Sequence, residues 1–76
     1  MNDRRRDKLR RAIEFLERAS DIIDGAMYDE CECMDNIPES LQGSRRYERM
    51  EDICDQLSDA CERCDDALKA LKEAIR

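Results

Sequence analysis

Two strips of apolar residues run through this chain at alternating three- and four-residue spacing, and each is the mirror image of the other about residue 42. The first passes through Leu9, Ile13, Leu16, Ser20, Ile23, Met27, Glu30, Met34 and Ile37. The second passes through Tyr47, Met50, Cys54, Leu57, Cys61, Cys64, Leu68, Leu71 and Ile75. An apolar repeat of this period occupies one face of a helix. Folding the chain at Gln42 sets Leu9 against Ile75, Ile13 against Leu71, Leu16 against Leu68, Ile23 against Cys61, Met27 against Leu57 and Met34 against Met50. Every pair joins an a to a d position of the heptad, the layer pattern of two antiparallel helices. The expected fold is all-α: an antiparallel two-helix coiled-coil hairpin, with residues 1–76 as a single domain.

The boundaries follow from capping and turn chemistry. Asn2 or Asp3 can cap a first helix over residues 3–35. The run from Asn36 to Ser44 then changes character. Pro38 disfavours helix for Ile37 before it and can start a short helical turn that ends at Gly43. Ser44 is a suitable N-cap for a second helix over residues 45–75. Gly25 falls in the middle of the first helix, where it costs about 1 kcal/mol relative to alanine. The expected reason for it is a close backbone approach or a slight bend.

A chain of 76 residues has difficulty burying enough surface alone, and such scaffolds add disulfides, a metal or a partner. The small residues point to a partner. Position g holds Ala12, Ala19, Ala26 and Cys33 in the first half and Ile53, Ala60, Ala67 and Ala74 in the second. Phe15 and Ile22 at position c extend this flank, so Ala12, Phe15, Ala19, Ile22 and Ala26 form a second apolar stripe. An isolated hairpin leaves that stripe in water. The expectation is a homo-oligomer, with a four-helix bundle dimer favoured.

Charged residues make up 45% of the chain and the net charge is −6, but its two signs are separated. Residues 1–20 carry seven Arg or Lys and four acids, while residues 21–76 carry seven and sixteen. This excess of acid disfavours duplex nucleic acid as a partner, since that needs a broad basic surface. No apolar run reaches the length of a membrane span, and no signal-peptide pattern opens the chain. The expected setting is therefore a reducing cytosol, with the five cysteines as thiols.

Catalytic chemistry has no constellation to rest on. There is no histidine, no Gly-rich phosphate loop and no Ser-His-Asp set, and carboxylates are the only candidates for acid–base catalysis. No cofactor and no metal are expected. Cys31, Cys33, Cys61 and Cys64 could suggest zinc, but hairpin register places Cys61 about 15 Å along the helix from Cys33. Cys54, Cys61 and Cys64 read as small core hydrophobes, and Cys31 with Cys33 as the more reactive pair. Glu30 interrupts the first strip opposite Cys54. The expectation there is a frayed helix that leaves Glu30 wet, the alternative being a partner among Arg45, Arg46 and Arg49.

Two basic groups are candidate anion sites, because guanidinium forks and free helix N–H groups suit phosphate. One is Arg4, Arg5, Arg6 and Lys8; the other is Arg45 and Arg46 beside Tyr47. Brought together in an oligomer, they can enclose a small phosphorylated ligand. The acidic second helix, with Glu48, Asp52 and Asp59, is the candidate surface for a protein partner.

The turn Asp35-Asn36-Ile37-Pro38-Glu39-Ser40-Leu41-Gln42-Gly43-Ser44, followed by Arg45-Arg46-Tyr47-Glu48, resembles a group of small proteins from phages and prophages of Gram-positive bacteria. Those look like charged helical hairpins with an Asn-x-Pro-Glu-x-Leu-Gln turn. The resemblance implies a stand-alone, non-enzymatic phage-type protein that binds a target stoichiometrically, for example a host protein of bacterial immunity. Two other readings stay open: an oligomeric sponge that sequesters a nucleotide immune signal through its arginines, and a purely structural self-assembly module.

Overall fold

Asn2 stops the chain from starting in mid-helix: its side-chain Oδ1 accepts a hydrogen bond from the Arg5 amide at 2.9 Å. Ser44 does the same for the second helix, accepting from the Tyr47 amide at 3.2 Å. The computed structural model describes all 76 residues. Helix α1 spans Asp3–Asp35 and helix α2 spans Arg45–Ala74. A single 3-10 turn, Glu39–Leu41, lies between them. Pro38 precedes that turn in an extended conformation, and its carbonyl accepts from the Leu41 amide at 2.9 Å. No residue in the connection needs a positive φ.

The two helices pack along their length as a hairpin. All eighteen residues of the two mirrored strips are buried or half-buried, which fixes the seam where the heptads place it. The core is nonetheless thin. Only Ile13, Met50 and Cys54 fall to 9% exposure or less. A rod of two helices covers each seam residue from one side only, and the dimensions reflect this. The molecule measures 59 × 14 × 14 Å, with a radius of gyration of 17.3 Å against about 11 Å for a compact domain of this length. Its accessible surface is 6088 Å², roughly 1,200 Å² more than a globular monomer of equal mass exposes.

Charge contributes little to the pairing. Three of the five ion pairs join residues three or four apart on one helix, and a fourth, Arg76 to Glu73, sits at the end of α2. The one that crosses, Lys72 to Glu17 at 3.9 Å, has both side chains more than half exposed and is worth less than about 1 kcal/mol. Register is therefore set by the apolar seam.

Two expectations are corrected. Gly25 serves no close approach, because a Cβ built there meets nothing within 4 Å. The helix also does not fray at Glu30. It continues to Asp35, Glu30 is half-buried, and no arginine lies within ion-pair distance of it. The long aliphatic stem of a glutamate can cover the seam while its carboxylate reaches water, which makes fraying unnecessary.

Three substitutions test this account by urea denaturation. Ile13→Ala should lower stability by about 2–5 kcal/mol, the range for emptying a buried aliphatic site. Ser44→Ala should cost about 1 kcal/mol through loss of the cap. Gly25→Ala should raise stability by about 0.5–1 kcal/mol, since the helix gains propensity with no clash. A loss at Gly25 would show that its backbone is needed in a form alanine cannot adopt.

Candidate functional site

The hairpin sorts its candidate residues onto two ends and two flanks. At the open end, the first turns of α1 lie beside the last turns of α2. Arg4, Arg5 and Lys8 are exposed and Arg6 is half-buried. Arg6 bonds Asp3 at 3.4 Å and Arg10 bonds Asp7 at 2.7 Å, so local acids partly neutralise the cluster. Residues 1–20 and 67–76 together carry a net +5, whereas residues 21–66 carry four basic and fifteen acidic residues, a net −11. The rod is polarised along its axis.

Arg45, Arg46 and Tyr47 start α2 at the opposite, turn end. A single chain therefore keeps the two basic groups at opposite ends of a 59 Å rod, and only a second chain can bring them together. The turn holds a shallow pocket of about 430 Å³ lined by Asn36, Ile37, Pro38, Leu41, Ser44 and Arg46. Of the residues singled out in the sequence as ligand-binding, Arg46 alone lines it. The signal for the remainder was the break in composition between Asn36 and Ser44, which marks a turn but not a concavity.

On one flank lie the small residues. Ala12, Ala19, Ala60 and Ala67 are half-buried along the seam, while Ala26 and Ala74 are exposed. Beyond them Phe15 is 63% exposed and Ile22 is 72% exposed. Single exposed apolar residues are ordinary, but these continue one stripe at helical spacing. Glu48, Asp52 and Asp59 are all exposed on α2, with Asp59 bonded to Arg63 at 2.9 Å.

The other flank carries the cysteine chemistry. Cys31 and Cys54 share a hydrogen bond across the seam, sulfur to sulfur, at 3.0 Å. One heptad further along, Cys61 donates to Asp24 Oδ1, also at 3.0 Å. Both contacts join an e position of α1 to an a position of α2. This corrects the pairing of Cys31 with Cys33: two residues apart on a helix, they face different directions, and Cys33 is exposed while Cys31 turns inward. The heptad strip counted only a and d positions and so overlooked an e residue lying against the partner helix. No three His, Cys, Asp or Glu side chains converge in a group that could hold a metal ion.

These contacts favour neutral thiols. The hydrogen bond with Cys31, and then burial, push the Cys54 thiol up to about 11 from 9.0. The hydrogen bond to Asp24, and then desolvation, push Cys61 up to about 11. A group whose proton is held more tightly in the fold stabilises it below the unfolded pKa and ceases to do so above the folded one. Both contributions are thus present below pH 9 and are lost as pH rises to about 11. The urea midpoint of the native chain should fall more over this window than that of a Cys54→Ala/Cys61→Ala variant. Parallel curves would show that neither thiol is held by its partner in the fold.

No known family model, curated protein or solved structure matches this chain. Its function has to be argued from its own flanks and ends.

Proposed function

We propose that this hairpin is a non-enzymatic binding protein that self-associates, flank to flank, into a four-helix bundle and acts by stoichiometric capture of a target. The observation that carries this reading is the stripe of Ala12, Phe15, Ala19, Ile22 and Ala26, exposed at Phe15, Ile22 and Ala26, on a molecule with only three buried residues. One face of the rod, 59 Å by 14 Å, offers roughly 800 Å², about what each partner contributes to a stable interface. Antiparallel stacking is favoured by charge. It lays the basic open end of each copy beside the acidic half of the other.

The target-binding surface in this reading is the acidic face of α2 and the turn, with Glu48, Asp52 and Asp59 as charged contacts. The resemblance of the turn to phage and prophage hairpins supports a bacterial host protein as the target and the host cytoplasm as the setting. No helix is long and apolar enough to cross a membrane.

A second reading has one specific observation in its favour. In an antiparallel pair, Arg4, Arg5, Arg6 and Lys8 of one copy come beside the partner's turn, where Arg46 lines a pocket. Such a composite site suits a small phosphorylated ligand and would make the bundle a nucleotide sponge.

Sedimentation equilibrium tests the shared premise. The native chain should run as a dimer, with thermal stability that rises with protein concentration. A Phe15→Glu/Ile22→Glu variant should be monomeric and still helical. A monomeric native chain at tens of micromolar would remove the basis of both readings. Between them, nucleotides that raise the melting temperature support the sponge. Loss of a captured protein on Asp52→Lys/Asp59→Lys, with the dimer intact, supports protein capture.

A further inference from the structure

Cys31 and Cys54 lie on different helices, 23 positions apart in sequence, and their sulfurs are 3.0 Å from each other. That separation is about 1 Å longer than a disulfide bond. The seam holds both helices in place, so bringing the two thiols together has no remaining chain-closure cost. No other pair of cysteines on the molecule is described in such contact. Cys33 points to solvent, and Cys61 is engaged with Asp24.

We propose that Cys31 and Cys54 form a dithiol site that low-molecular-weight disulfides, of the glutathione disulfide class, convert to an interhelix disulfide. In the first step the Cys31 thiolate attacks one sulfur of glutathione disulfide. A mixed disulfide forms and one glutathione thiolate leaves, taking up a proton. In the second step Cys54 loses its proton and its sulfur attacks Cys31 Sγ, which expels the second glutathione. Two protein thiols are oxidised, one glutathione disulfide is reduced to two thiols, and the two protons given up by the cysteines end on them.

The order of attack follows from access. Cys31 is half-buried, whereas Cys54 is among the three most covered residues of the chain. The Cys54 proton is also held above the ordinary thiol value, first by the hydrogen bond with Cys31 and then by burial, with the charges of Glu30 and Asp55 acting in the same sense. Once Cys31 is in the mixed disulfide, that hydrogen bond to its thiol is gone, and with it the largest cause that holds the Cys54 proton. The same closeness that makes Cys54 a poor first nucleophile makes it the resolving one.

The consequence is a staple across the turn end of the hairpin. The closed loop contains the whole connection from Asn36 to Ser44, so the oxidised chain cannot straighten through Pro38 or exchange helices with another copy. The site is on the flank opposite the alanine stripe, and its chemistry does not depend on the self-association proposed above.

The test is native full-length chain incubated with glutathione disulfide and then mapped by alkylation of the remaining thiols. The expected product is a chain two hydrogens lighter, with no retained glutathione, in which Cys31 and Cys54 resist alkylation and Cys33 does not. Its melting temperature should rise on the order of 10 °C, from the loop closed in the unfolded state, and dithiothreitol should reverse this. A Cys33→Ser/Cys61→Ser/Cys64→Ser variant should behave alike, and Cys31→Ser should abolish the product. A stable glutathione adduct, a bond to Cys33, Cys61 or Cys64, or a disulfide joining two chains would each overturn the assignment. The mapping on the native chain decides the matter even where a variant fails to fold.

Discussion

Two helices laid side by side can cover a side chain only where the other helix passes over it, and every feature of this protein is conditioned by that limit. The seam from Leu9 and Ile75 to Ile37 and Tyr47 is one layer deep. It specifies register well, because slipping α2 by one residue would turn Leu68 and Leu71 toward water. It supplies stability sparingly, because most of its members stay half-exposed. What remains uncovered then acquires meaning. An apolar stripe beside a deep core would be incidental, but beside this core it is comparable in size to the core itself.

The charged residues do different work. Nearly all of their pairing is within a helix, at spacings worth a few tenths of a kcal/mol. Their larger effect is on direction. A rod with +5 at its open end and −11 along the remainder has an electrostatic head and tail. Parallel copies would place like charge against like over their whole length. Antiparallel copies do not, and they alone set the Arg4–Lys8 cluster beside Arg45 and Arg46. Polarity of charge and the separation of the two basic groups are thus one property of the sequence.

Much of this architecture was legible before any coordinates, for a physical reason. A hairpin of long helices is governed by local periodicity, so its helix limits, both caps and all eighteen seam residues follow from spacing and capping chemistry. The contacts at the edge of the seam were not legible. Heptad positions a and d describe which residues face the partner, but not which e residue leans far enough to touch it. Cys31 and Asp24 both sit at e, and both reach an a-position cysteine across the interface. The close approach expected at Gly25 is absent for the opposite reason. A glycine suggests a crowded backbone, and here the space beside it is open.

The edge contacts also explain why cysteine at positions 54 and 61 suits this fold. At a positions of a narrow seam, a thiol fills little volume and lets the opposing e residue come close. Leucine at position 54 or 61 would push Cys31 or Asp24 outward and widen the hairpin on that flank. Small side chains at 54 and 61 on one side of the seam and alanine on the other leave room for close approach, and two sulfurs come within 3.0 Å. A thin core and a close pair of thiols have a common origin. The side chains small enough to let these helices meet closely are, on one flank, also the ones that can be oxidised.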